Sequence, residues 1–118
     1  MKINGKFFDL DAKVCSEFGK VKGLMFVRKE KARALIFDFP EKTRLAIHSL
    51  FVFFPFLAVW LDDKNNIVSI KKVKPFLFYI RPEKPFSKLI EIPINERYKK
   101  IAEAISLIKG KNSDDKKV

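Results

Sequence analysis

Residues 49–61 read SLFVFFPFLAVWL, in which twelve apolar residues follow one serine. Such a run fits a membrane helix, an aggregating strand or the interior of a globular domain. A membrane-spanning helix needs about 20 consecutive apolar residues, and this run is aromatic and β-branched with Pro55 near its centre. We therefore expect two buried strands that meet at Pro55, because a residue without a backbone N–H belongs at a strand end, a bulge or an edge.

Length and composition favour one soluble globular domain. The 118 residues are 47% hydrophobic and 33% charged, which provides enough apolar surface to offset the entropy of ordering the chain. Cys15 is the single cysteine, so no intramolecular disulfide or cysteine-ligated zinc site is expected. The N-terminus carries a charge every few residues and no apolar signal segment. We expect a cytoplasmic protein without a membrane span.

Turn signals predict a mainly β chain. Asn4-Gly5 predicts an N-terminal hairpin, and the turn formers at 62–66 predict an antiparallel hairpin of strands 56–61 and 67–74. Four further elements are expected: a short helical turn at 19–25, a strand at 34–40 closed by Pro40, a strand at 45–54, and a strand at 87–92.

The end of the chain predicts the one long helix. Asn95 can cap it, apolar residues recur at helical spacing over 96–109, and Gly110 follows the last turn. We expect residues 1–110 to form a single α+β domain, mainly β, and the polar residues 111–118 to form a disordered tail.

Four motifs occur in an order that resembles a known family. They are KGLMFV (22–27), ALIFDF (34–39), IHSLFVFFPFLAVWLDDKNNIV (47–68) and KLIEIP (88–93). Over residues 5–94 the chain resembles the domain of unknown function 192 family. The chain has a histidine at position 48, where the family pattern has tryptophan, and in this it resembles the archaeal branch of the family. The matching positions are Gly23, Leu24, Met25, His48, Phe51, Phe53, Pro55, Asp62, Glu91 and Pro93.

The resemblance implies a small barrel-like or strongly bent antiparallel or mixed sheet with one short helix, to which the helix at 96–109 is an addition. It brings no established activity. Two positions depart from the family pattern, since Leu57 stands where the family has an aspartate and Ser49 replaces a methionine. The pocket that the resemblance implies, made more apolar by these changes, has the residues Met25, His48, Phe51, Pro55 and Glu91.

Candidate catalytic groups each have a structural alternative. His48 is the only histidine and could act as a base or metal ligand, but it could equally bond to the backbone or lie at a pocket mouth. Glu91 lies between two isoleucines on a strand, so its side chain faces away from theirs and is expected to pair with a base such as Arg28 or to meet solvent. Asp62 and Asp63 adjoin in a turn, where carboxylates usually cap backbone N–H groups. No phosphate-binding glycine loop or metal-ligand cluster is recognisable, so no cofactor or metal is expected.

The formal net charge of +11 either attracts nucleic acid or anionic lipid or simply keeps the surface solvated. The residues of the densest basic stretch are Lys71, Lys72, Lys74, Arg81, Lys84 and Lys88. Phe76, Phe78, Tyr79 and Phe86 lie among them. Interleaved basic and aromatic residues are typical of nucleic-acid binding, although the same aromatic residues suit a core.

Three hypotheses follow. The first is a non-catalytic binding or interaction module whose partner is an unknown protein or small-molecule ligand. The second is non-sequence-specific nucleic-acid binding through the basic stretch, and the third is an enzyme that uses His48 with Glu91 or Asp62.

Overall fold

The computed structural model describes residues 1–15, 24–25, 27–49, 52–77 and 79–110. The elements in chain order are β1 (Lys2–Ile3), β2 (Lys6–Phe7), β3 (Ala12–Cys15), a short 3-10 helix (Lys29–Lys31), β4 (Ala34–Thr43), β5 (Phe56–Leu61), β6 (Ile67–Val73), β7 (Phe86–Pro93) and α1 (Lys99–Gly110). β1 and β2 form a hairpin, and the other five strands form a mixed sheet in the order β3-β4-β7-β5-β6. The predicted α+β, mainly β class is confirmed.

The N-terminal hairpin turns at Asn4-Gly5, as predicted. Both residues have a left-handed backbone, with φ of 53° and 79°, which is the requirement of a type I′ turn. Asn4 also fastens the hairpin to the turn between β5 and β6, because its Oδ1 accepts a hydrogen bond from the Ile67 N–H at 2.7 Å and its N–H donates to the Asn65 carbonyl at 3.0 Å.

β7 occupies the centre of the sheet, antiparallel to β4 on one side and to β5 on the other. Its side chains alternate between two apolar layers, so that Leu89 enters one layer and Ile90 the other. The layer with Leu89 is covered by loop residues, among them Leu24 and Phe54. The other layer is covered by α1 and the N-terminal hairpin. We call these the loop-covered face and the helix-covered face.

The apolar run at 49–61 divides at Pro55. Its second half is β5, in which every residue is buried, and β5 pairs with β6 as the predicted hairpin. The strand predicted at 45–54 is wrong, because the described residues between β4 and β5 make only an isolated antiparallel bridge, Ile47 to Ile80, and otherwise cross the loop-covered face as irregular chain. No helix within the described ranges has the length and apolar character that crossing a bilayer requires.

Pro40 does not close its strand, since β4 continues to Thr43. The pairing of β4 with β7 shifts register between Asp38 and Thr43, so Pro40 lies in an irregular stretch where its missing N–H interrupts no regular ladder. The strand predicted at 87–92 is confirmed as β7. Of the helical turn predicted at 19–25, the structure describes only Leu24 and Met25, and the tail at 111–118 lies outside the described residues.

Asn95 caps the entry to α1, although α1 itself begins at Lys99 and not at residue 96. A turn precedes the helix because the Asn95 Oδ1 accepts a hydrogen bond from the Tyr98 N–H at 3.1 Å. The Asn95 Nδ2 also donates to the carbonyls of Lys29 at 2.8 Å and Ala32 at 3.3 Å. One buried side chain therefore joins the helix entry to the 3-10 helix and to the residue that follows it.

Replacement of this amide gives a first prediction. Asn95→Ala removes three hydrogen bonds at a buried position, and we expect the free energy of unfolding to fall by roughly 2–3 kcal/mol. Urea denaturation followed by circular dichroism measures this change. Asn66→Ala, at an exposed asparagine, is the control and should have a small effect. Equal effects of the two substitutions would contradict the capping role.

Candidate functional site

Glu91 lies on the loop-covered face near the middle of the sheet. Its register partners are Leu35 on β4 and Ala58 on β5, and only 6% of the residue is exposed. Burial raises the pKa of the Glu91 carboxyl to about 7, because surroundings of low polarity penalise the charged form. The expectation that Glu91 pairs with Arg28 or meets solvent is wrong. The Arg28 Nε lies 3.7 Å from the Glu30 Oε1, so Arg28 pairs with Glu30. Side chains alternate along a strand, and because β7 is covered on both faces, the Glu91 side chain points into a covered face instead of solvent.

Two other groups with potential chemistry share this face. Trp60 is fully buried and pairs with Leu89, two residues before Glu91 on β7; its Nε1 has no hydrogen-bond partner within the described residues. Burial raises the pKa of the Cys15 thiol, the Lys13 ammonium lowers it, and the Glu91 carboxylate raises it further. A thiol with a raised pKa stays protonated and is a poor nucleophile.

The structure describes four of the five residues that the family resemblance placed in a pocket. Met25 is half-buried and packs on the loop-covered face, to which Glu91 also points. His48 is exposed, and Pro55 is half-buried directly before β5. Phe51 lies outside the described residues. The fold thus directs Met25 and Glu91 to one face, and it places His48 at the surface.

Leu57, where the family has an aspartate, belongs to the opposite layer. It is 3% exposed and packs in the helix-covered face, so its side chain points away from Glu91. An ionised aspartate would be costly at a site so deeply buried beside α1. The departure from the family pattern at Leu57 therefore concerns packing under the helix and not the polar group on the loop-covered face.

Asp62 serves its own turn, as predicted. Its Oδ1 accepts hydrogen bonds from the backbone N–H groups of Lys64 and Asn66, both at 2.9 Å. This geometry stabilises the tight connection between β5 and β6.

The six basic residues of the stretch 71–88 do not share one face. Lys71 and Lys72 are neighbours on β6 and point to opposite faces, the former in register with Ala58 and the latter with Leu57. The Lys88 Nζ donates a hydrogen bond to the Asn65 Oδ1 at 2.8 Å. The remaining three are exposed: Lys74, Arg81 and Lys84.

Three exposed aromatic side chains lie on the two segments that meet at the bridge between Ile47 and Ile80. Phe53 is 57% exposed, Phe76 56% and Tyr79 65%. The rings of Phe53 and Phe76 contact each other edge to face, with centroids 5.7 Å apart. We call these three residues the aromatic surface.

Ser49 fixes the backbone that carries the aromatic surface. It is fully buried, and its hydroxyl donates to the Lys74 carbonyl at 2.7 Å while it accepts from the Leu77 N–H at 2.8 Å. Its backbone N–H donates to the Leu77 carbonyl at 2.8 Å, and its carbonyl accepts from the Phe76 N–H at 2.6 Å. Four hydrogen bonds from one residue therefore join the loop at 74–77 to the segment that carries Phe53.

Phe76 has a strained backbone, with a φ of 68°. A bulky residue in the left-handed region is uncommon and costs on the order of 1–3 kcal/mol. Such strain persists only where surrounding bonds impose it, and here the hydrogen bond from the Phe76 N–H to Ser49 does so. Backbone strain of this kind is concentrated at functional sites.

The role of Ser49 and the exposure of Phe53 could not be read from local sequence patterns. Ser49 is a departure from the family pattern, and the one signal for its role is that it opens a long apolar run, since a buried polar group requires hydrogen-bond partners. The exposure of Phe53 depends on whether its segment is a core strand or a covering loop.

The model of the DUF192 family, described as an uncharacterized ACR, matches residues 1–102. The chain belongs to this family. The match extends beyond the residues 5–94 that the motifs indicated, and it includes the first turn of α1.

Archaeal proteins of the same family have sequences similar to this chain. A UPF0127 protein of Thermococcus sibiricus is 31% identical over 96 residues, which are 79% of this chain and 61% of the relative. A UPF0127 protein of Pyrococcus furiosus is 29% identical over 109 residues, which are 90% of this chain and 87% of the relative. This chain thus spans only about three fifths of the Thermococcus relative's length.

A solved structure shares the fold. The crystal structure of a protein from Sinorhizobium meliloti 1021, proposed to be a transcription regulator, superposes with a TM-score of 0.64 at 18% identity. The superposition covers 78% of this chain and 74% of that protein. At this level of identity the similarity concerns the fold alone.

Glu91→Gln is expected to change the pH dependence of stability. The ordinary pKa of 4.5 applies to the unfolded chain and about 7 to the folded one, so the folded state holds the extra proton between these values. Stability of the natural protein should therefore decline as pH rises from 4.5 to 7, by about 1.4 kcal/mol per pH unit from this residue. Glutamine removes this slope and should raise stability above pH 7 by roughly 3 kcal/mol.

Urea denaturation at several pH values measures the difference. Glu103→Gln, on the exposed side of α1, is the control and should leave the slope unchanged. A Glu91→Gln variant whose stability keeps the natural pH profile would show that the buried carboxyl does not titrate in this range.

Ser49→Ala tests the anchor of the aromatic surface. The substitution leaves the Leu77 N–H and the Lys74 carbonyl without the hydroxyl partner, and we expect the free energy of unfolding to fall by roughly 2 kcal/mol. Hydrogen exchange of the amides at 76 and 77 should accelerate more than that of β7. Ser87→Ala, at a half-buried serine of β7, is the control. An unchanged exchange rate at 76 and 77 would refute the anchoring role.

Proposed function

We propose that this protein is a non-catalytic binding module whose partner docks on the aromatic surface. The observation that carries the proposal is that Phe53, Phe76 and Tyr79 are all more than half exposed on segments joined by the Ser49 hydrogen bonds and by the bridge between Ile47 and Ile80. Aromatic residues are enriched in protein interfaces. A partner that covers such rings removes apolar surface from water, and this burial contributes favourable hydrophobic free energy to binding.

The strain at Phe76 supports the same proposal. Glycine or asparagine would adopt its left-handed backbone at lower cost. For the fold itself, the Phe76 ring provides the edge contact with Phe53, a contribution of about 0.5–1.5 kcal/mol. Contact with a partner accounts for a bulky ring at this position.

The positions of the carboxylates favour a binding role for the protein over a catalytic role for His48. General acid–base catalysis would need His48 and a carboxylate within hydrogen-bond reach of one substrate. The two carboxylates considered from sequence have other positions: Asp62 caps its own turn, and Glu91 is buried in the centre of the sheet.

A triple variant tests the proposal. Phe53→Ser, Phe76→Asn and Tyr79→Ser together should leave the free energy of unfolding within about 1 kcal/mol of the natural value. The side chains are exposed, and the strain that asparagine relieves at position 76 offsets the lost contact between the Phe53 and Phe76 rings. The variant should lose the macromolecule that the natural protein captures by cross-linking in extracts of cells that contain it. Quantitative mass spectrometry and sequencing of bound nucleic acid measure the loss.

The matched control carries Phe7→Ser and Leu107→Ser. These two apolar residues are as exposed as the aromatic surface, at 66% and 68%, but lie on β2 and α1. The control should retain the captured partner. A triple variant that is folded and still captures the same partner in the same amount would refute docking at the aromatic surface.

A further inference from the structure

We infer that the aromatic surface and the cations beside it bind single-stranded nucleic acid without sequence preference. The inference rests on the proposed function, because it names the partner class of the same surface. Three observations support it: cations held next to the rings, the absence of acidic partners for those cations within the described residues, and the position of the rings relative to α1.

Cations flank the rings on one fixed segment. The Arg81 guanidinium lies 5.5 Å from the centroid of the Tyr79 ring, and the Lys71 Nζ donates to the Arg81 carbonyl at 3.0 Å. At the other end of the segment, the exposed Lys74 precedes Phe76 by two residues and its carbonyl is held by Ser49. Along the chain, Phe76 and Tyr79 therefore lie between Lys74 and Arg81, and rings interleaved with cations are typical of surfaces that bind single-stranded nucleic acid.

These cations are available to an anion. The ion pairs among described residues use other bases, namely Arg28, Arg33, Lys88, Arg97 and Lys99. The stretch 71–81, which contains Lys71, Lys74 and Arg81, has no acidic residue in its sequence. A surface of this sign attracts a polyanion and releases condensed counterions when it binds.

The geometry favours a single strand over a duplex. Exposed rings stack on the flat faces of bases, and a duplex hides those faces between neighbouring base pairs. Reading the major groove usually requires a helix or a β-ribbon that enters it, but α1 packs on the helix-covered face, whereas the aromatic surface belongs to the loops of the other side. Stacking is also tolerant of sequence because every base has such a face.

Fluorescence anisotropy with a labelled oligothymidylate of about 12 nucleotides tests the inference at about 50 mM and about 200 mM salt. We expect binding that weakens as salt rises, and weaker binding to a duplex of equal length. Tyr79→Ala should lower affinity by about tenfold, whereas Phe7→Ala should not. Arg81→Gln should lower affinity and reduce the slope of log affinity against log salt by about one.

Heparin, a polyanion without bases, separates stacking from electrostatic attraction. Its affinity should fall with Arg81→Gln and not with Tyr79→Ala. No binding of the oligonucleotide at low salt, or an equal affinity of natural protein and Tyr79→Ala for it, would overturn the inference. The proposed function would still stand if the triple variant then lost a captured protein, and it would fall separately if that variant kept its partner.

Discussion

The burial of β7 on both faces is the constraint on which the rest of the structure depends. β7 lies between β4 and β5, and Leu89 and Ile90 enter different apolar layers. A strand covered on both sides needs two covering layers, because neither row of apolar side chains can be left in water. α1 and the N-terminal hairpin supply one layer, and loop residues such as Leu24 and Phe54 supply the other.

A cover made of loops has consequences that a helix does not have. Irregular backbone lacks a regular ladder, so its polar groups need specific partners, and Ser49 supplies four hydrogen bonds between two segments of the cover. The same arrangement leaves the outward side chains Phe53 and Phe76 in solvent and imposes strain on the latter. Beneath the cover, Glu91 is kept from water and its pKa rises to about 7.

Membership of the DUF192 family accounts for the fold. It assigns no activity, because the family is described as uncharacterized. Archaeal relatives near 30% identity share the family, and a solved protein at 18% identity retains the architecture. Leu57 packs in the layer beneath α1, so this departure from the family pattern lies on the opposite side of the sheet from Glu91. The aromatic surface and its neighbouring cations are the features on which the proposed binding role rests.

Local sequence determined the elements whose signals are short in range: the Asn4-Gly5 hairpin, the β5–β6 hairpin and the cap at Asn95. Turn conformation and capping depend on residues that are adjacent in the chain, so these features could be predicted. Only the tertiary structure decided that the described residues of the stretch 45–54 form a cover instead of a strand, that Glu91 is buried, and that neighbouring lysines point to opposite sides of the sheet. These outcomes depend on which strands become central and which faces are covered, and such pairing joins residues far apart in sequence.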